Sequence, residues 1–103
     1  MAEFVKVAKT SDIAPNNARG FSVEGKNIMI ASIDGKLYAA EDRCSHMNSK
    51  LSTGLLSGNV IMCMAHGAQF DITTGKQLGS IGKGPIKTYE VRVSGDDIEV
   101  KIE

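Results

Sequence analysis

Lys26-Asn27-Ile28-Met29-Ile30-Ala31-Ser32-Ile33-Asp34-Gly35-Lys36-Leu37-Tyr38-Ala39-Ala40 is the stretch that decides the fold. Two apolar runs, the first rich in isoleucine, flank an Asp-Gly pair. That pair is the strongest short hairpin signal in the chain, because Asp and Gly tolerate the positive φ a two-residue turn demands. Towards the N-terminus, Glu24-Gly25 separates a run at 19–23 from the run at 26–33 and signals a second hairpin. Residues 3–8 alternate around Phe4, Val5 and Val7. Towards the C-terminus, runs at 86–93 and 98–102 flank Ser94-Gly95-Asp96-Asp97, a further hairpin signal. No helix-length amphipathic stretch interrupts the series. Many short strands at this spacing predict an all-β fold, an antiparallel sandwich or small barrel.

The middle of the chain reads differently. Between Cys44 and Pro85 lie Gly54, Gly58, Gly67, Gly75, Gly79, Gly82 and Gly84, seven of the eleven glycines. Strands there can only be short, with 60–62 and 69–72 as the candidates. A long glycine-rich insertion in a compact β domain is more often functional than accidental. The expected organisation is therefore one domain, 1–103. A β base from 1–42 and 86–103 carries a ligand-bearing subdomain at 43–85.

Composition excludes several functions. Twelve basic and twelve acidic residues cancel, whereas a nucleic-acid or anionic-membrane surface needs a basic excess. The longest apolar stretch, 60–65, is far short of the roughly 20 residues that span a bilayer. The opening Met-Ala-Glu-Phe has no apolar export segment, so the expected location is cytoplasmic. The charges are unevenly spread: from Arg43 to Phe70 there are two cations, Arg43 and Lys50, and no carboxylate.

That same segment holds every cysteine and histidine. Cys44-Ser45-His46 is followed by sixteen residues and then by Cys63-Met64-Ala65-His66. Two buried apolar thiols beside two surface imidazoles would be the bland reading, but it leaves the pairing of each Cys with a His unexplained. A single tetrahedral zinc accepts two Cys and two His, although zinc sites more often pair like with like along the chain. A [2Fe–2S] centre with two thiolates on one iron and two imidazoles on the other explains both ligand type and pairing, since each loop would then reach both irons.

The motifs around the ligands resemble the Rieske-type ferredoxins over nearly the whole chain. Leu51-x-x-Gly54-x-Leu56-x-Gly58 leads into Cys63, and His66-Gly67-x-x-Phe70-Asp71-x-x-Thr74-Gly75 follows it. Pro85 stands where the family's proline loop covers the cluster. Tyr89-x-Val91-x-Val93-x-Gly95-Asp96 resembles the C-terminal hairpin. The resemblance implies an antiparallel β-sandwich with the cluster-binding subdomain inserted at one end. It also implies one [2Fe–2S] cluster on Cys44, His46, Cys63 and His66. The extra cysteines of respiratory relatives are replaced by Ser49 and Ala65, so their disulfide is absent. Those relatives place a serine and a tyrosine two and four residues after the second histidine, where their hydroxyls raise the potential. The matching residues here are Ala68 and Phe70, so the resemblance implies a low-potential centre.

The implied function is electron transport, not catalysis: both histidines are used by the cluster, leaving none for a second, oxygen-activating iron. The expected protein is a monomeric carrier between a reductase and an acceptor such as an oxygenase, with no nucleic-acid or membrane partner. Alternatives are a small Rieske subunit of a larger oxidoreductase and, from another class, a zinc-stabilised binding module. Met47 and Met64 are core fillers or an apolar docking patch. Lys50 and Lys83 read as solvated charges. Gly54 and Gly67 are turn residues or points of close backbone approach.

Overall fold

The computed structural model describes residues 3–44, 50–64, 67–82 and 84–102. Among them the strands are β1 (Glu3–Lys9), β2 (Ala18–Val23), β3 (Lys26–Ile33), β4 (Lys36–Glu41), β5 (Leu55–Ser57), β6 (Val60–Met62), β7 (Gln69–Asp71), β8 (Gln77–Leu78), β9 (Thr88–Tyr89), β10 (Val91–Ser94) and β11 (Asp97–Ile102). Among the described residues helical turns are confined to two single 3-10 turns, Thr10–Asp12 and Leu51–Thr53. All strand pairs are antiparallel. The all-β expectation holds.

The β2–β3–β4 meander forms for the reason its turns announce. Glu24 and Gly25 have φ of +48° and +78°, and Asp34 and Gly35 have +50° and +82°. Positive φ at both central residues is the type I′ turn, whose twist matches the strands it joins. The turns set the registers Val23↔Lys26 and Ile33↔Lys36. β9 adds to the free side of β4, giving the sheet β2-β3-β4-β9, while β1-β11-β10 forms a second sheet and β5-β6-β7-β8 a third.

Alternation along β3 explains how the sheets stack. Ile28, Met29, Ile30 and Ala31 have no exposed surface, and successive side chains in a strand point to opposite faces. Ile28 and Ile30 join Val23, Ala39, Ile98 and Val100 in the core shared with the β1-β11-β10 sheet. Met29, Ala31 and Ile33 join Ala40, Leu51, Ile61, Phe70 and Ile72 in a second core that includes the β5–β8 sheet. The meander is thus the middle layer, covered on both faces.

The structure differs from the sequence reading at three places. The run at 86–93 is not one strand: it breaks at Glu90, because Tyr89 pairs with Ala39 of β4 while Val91 pairs with Val100 of β11. The C-terminal turn is two residues, not four, since Ser94 and Asp97 are themselves paired and Gly95 alone takes positive φ, +62°. The glycine-rich segment carries four short strands where two were expected; β5 and β8 flank β6 and β7.

Because β3 is buried on both faces, truncating it is costly. Ile30→Ala should lower folding stability by about 2–5 kcal/mol, read as a drop in urea midpoint at unchanged slope. Val93→Ala, at a position 51 % exposed, should cost under about 1 kcal/mol. Equal losses at the two sites would contradict the layered core.

Candidate metal centre

Cys44 follows β4 and Cys63 follows β6, so the two thiols arrive from different sheets. Both are buried, at 2 % and 1 % exposure, and both belong to the core that contains Met29, Leu51, Ile61, Ala68 and Phe70. They are free thiols with no disulfide between them. His46 and His66 lie outside the described residues, as do Met47, Ser49, Ala65 and Lys83. The cysteine half of the expected ligand set is therefore brought together in one apolar cluster. Covalent connection keeps His46 two residues from one thiol and His66 three from the other.

Backbone bonds close the loop that carries His66. The Cys63 N–H donates to the Ala68 carbonyl at 2.7 Å, and the Gly67 N–H donates to the Cys63 carbonyl at 2.9 Å. Gly67 sits at φ +76° with open space where a Cβ would point. Its role is conformational, a left-handed turn that glycine adopts without steric cost. Gly54 has the other role. Its φ is −84°, but a Cβ there would overlap the carbonyl oxygen of Met62, the residue before Cys63. Absence of a side chain lets the 3-10 turn at Leu51–Thr53 approach the backbone that delivers the second thiol.

The Asp71-x-x-Thr74-Gly75 motif is the β7–β8 turn. Asp71 Oδ1 accepts from the Thr73 N–H at 2.9 Å and from the Thr73 hydroxyl at 2.6 Å, while the Gly75 N–H donates to the Asp71 carbonyl at 2.6 Å. Gly75 then accepts at its carbonyl from the Ile86 N–H at 2.8 Å, tying down the chain after Pro85. Gln77 acts from β8: its Oε1 accepts from the Gly84 N–H at 2.7 Å and its Nε2 donates to the Gly79 carbonyl at 3.2 Å. It braces the segment 79–84. Sequence reasoning missed this bracing, since a glutamine in a short strand carries no spacing signal.

Ala68 and Phe70 are fully buried and have no side-chain donor; Phe70 pairs with Ile61 across the third sheet. Met64, next to Cys63, is 59 % exposed, so it is not a core filler. Lys50 is exposed, as expected of a solvated charge.

The donor chemistry fits a two-iron centre. Two unpaired thiols in a shared apolar core can supply thiolates on a side closed to water, and the loop of each thiol carries one imidazole as a second donor. Comparison with known proteins agrees. The family model for the Rieske [2Fe–2S] domain matches residues 3–90. The chain is 34 % identical over 91 residues to the ferredoxin component of the naphthalene 1,2-dioxygenase system of Pseudomonas putida, covering 88 % of each chain. It superposes on the ferredoxin of carbazole 1,9a-dioxygenase from Nocardioides aromaticivorans with a TM-score of 0.91 and 28 % identity, over 97 % of this chain and 98 % of that one. A solved complex of reduced oxygenase and oxidised ferredoxin in carbazole 1,9a-dioxygenase contains a chain matching with a TM-score of 0.88 and 32 % identity, over 95 % and 92 %.

Close approach at Gly54 is a testable constraint. Gly54→Ala should destabilise the protein by about 1–3 kcal/mol through overpacking against backbone that cannot move aside, measured by thermal or urea unfolding. Unchanged stability would show that the approach is not required.

Proposed function

The chain belongs to the Rieske [2Fe–2S] domain family, and on that premise we propose that Cys44, His46, Cys63 and His66 hold its cluster and that its electron acceptor is an oxygenase. It is an electron carrier with one [2Fe–2S] cluster, and similarity to ferredoxin components of dioxygenase systems carries that conclusion. The pairing of two buried thiols with one imidazole in each loop supports the ligand set.

When bound, the cluster accepts and returns a single electron. The chain's own residues decide how that happens. Cys44 and Cys63 supply the thiolates on the buried side, within an apolar shell that includes Leu51, Ile61 and Phe70. His46 and His66 would supply imidazole donors in place of two thiolates, which would leave the bound group less negative than an all-thiolate one. A less negative group held in this low-dielectric core would take up an electron more easily than an all-thiolate one. Ala68 and Phe70 offer no hydrogen bond to the sulfurs, which keeps the potential towards the low end of the Rieske range of about −150 to +300 mV.

The carrier role extends to partners. A reductase loads the electron and an oxygenase receives it; the solved complex of reduced oxygenase and oxidised ferredoxin supports the second of these partners. We place the protein in the cytoplasm as a diffusible monomer. No helix of the described residues is long and apolar enough to cross a membrane.

The dithionite-reduced protein, mixed anaerobically with the oxidised oxygenase component of an aromatic-ring dioxygenase, should pass on one electron per chain with recovery of its visible absorbance. Reoxidation no faster than in buffer would contradict the acceptor. Film voltammetry should show Phe70→Tyr and Ala68→Ser each raising the midpoint potential. A hydrogen bond strengthened by about 1 kcal/mol on reduction corresponds to roughly 40 mV for one electron. Variants that lower it, or a wild type near +300 mV, would contradict the role of the missing donors.

A further inference from the structure

Asp42 is the one charged residue buried among the described residues, at 2 % exposure. Burying a carboxylate is costly unless its oxygens are satisfied, and here a single residue satisfies both. Asp42 Oδ1 accepts from the Ser52 N–H at 2.7 Å and Oδ2 from the Ser52 hydroxyl at 2.5 Å. Its own N–H donates to the Asn27 carbonyl at 2.9 Å, fixing it to the end of β3. Asp42 lies two residues before Cys44, and Ser52 lies on the 3-10 turn beyond the loop that carries Cys44 and His46. The pair therefore joins the two ends of the first ligand loop.

A third residue points to the same place. Gly20 stands in the middle of β2, where glycine weakens a strand and its presence calls for a reason. No turn or positive φ requires it. A Cβ at Gly20 would overlap Asp42 Oδ2 and Ser52 Oγ. The missing side chain is the seat in which the carboxylate and hydroxyl meet.

We propose that Gly20, Asp42 and Ser52 form a latch that ties the chain just before Cys44 to the 3-10 turn at Leu51–Thr53, with Asp42 as a positioning residue for the Cys44 thiol. The proposal rests on the cluster reading above. Two hydrogen bonds to a carboxylate are stronger than neutral ones, and they tie the chain two residues before Cys44 to the 3-10 turn whose Leu51 packs in the same core as Cys44. The latch acts through the backbone, by keeping the Cys44 thiol seated in its buried core, where a chelator reaches it least.

The test is chelator-driven loss of visible absorbance from the loaded protein, under conditions in which every variant remains folded by circular dichroism. Asp42→Ala and Ser52→Ala should each bleach on the order of tenfold faster than wild type, as expected for losing hydrogen bonds to a buried charge. Asp42→Asn can accept from the Ser52 N–H and donate to its hydroxyl, and should stay within about threefold of wild type. Ile30→Ala loses folding stability in the other core and should bleach at the wild-type rate, which separates a latch from general destabilisation. Should Asp42→Ala fail to fold, Ser52→Ala carries the comparison. Wild-type bleaching in the alanine variants, or equally fast bleaching in Ile30→Ala, would overturn the latch while leaving the cluster intact. A wild type lacking iron and sulfide would end the cluster reading and the latch with it.

Discussion

A strand buried on both faces has to be covered twice, and β3 is such a strand. Ile28 and Ile30 face the β1-β11-β10 sheet; Met29, Ala31 and Ile33 face the core that includes β5–β8. Each of these larger side chains contributes about 1.5–3 kcal/mol when sheltered from water. Total stabilities of small domains are only about 5–15 kcal/mol. Either cover is therefore indispensable. The ligand-bearing segment is not an appendage on a finished β base; it completes the base by covering the second face of the middle sheet.

Site and core are consequently the same object on that side. Cys44 and Cys63 are core residues as much as ligand candidates, held in one apolar cluster with Leu51, Ile61, Ala68 and Phe70. The loops beyond them are closed by local bonds: Cys63 to Ala68 and Gly67 in one, Asp42 to Ser52 in the other. Buried thiols in a fixed apolar surround suit a centre that must change charge by one unit with little rearrangement.

The base was legible because its turns are chemically explicit. Asp34-Gly35 and Glu24-Gly25 demand positive φ at adjacent residues, and the meander follows from them with its register. The motif stands out in the sequence because Cys and His are scarce and paired, and the structure brings its two cysteines into one buried cluster. What escaped the sequence was contact between distant segments. Nothing local in residues 86–93 shows that the run changes sheets at Glu90, since both halves alternate equally well. Nothing in β5 or β8, three and two residues long, exceeds the noise of β propensity, and those strands exist because β6 and β7 pair with them. Gly54, Gly20 and Asp42 have roles visible only when the residues that crowd them, Met62 and Ser52, are in place.

The most direct measurement is pulsed EPR on the dithionite-reduced protein. Ligation by Cys44 and Cys63 on one iron and by His46 and His66 on the other predicts a spin-half signal with average g below 2. It also predicts magnetic coupling to two imidazole nitrogens, lost when either histidine is replaced. A colourless, EPR-silent protein containing one zinc per chain, or a signal without nitrogen coupling, would contradict it.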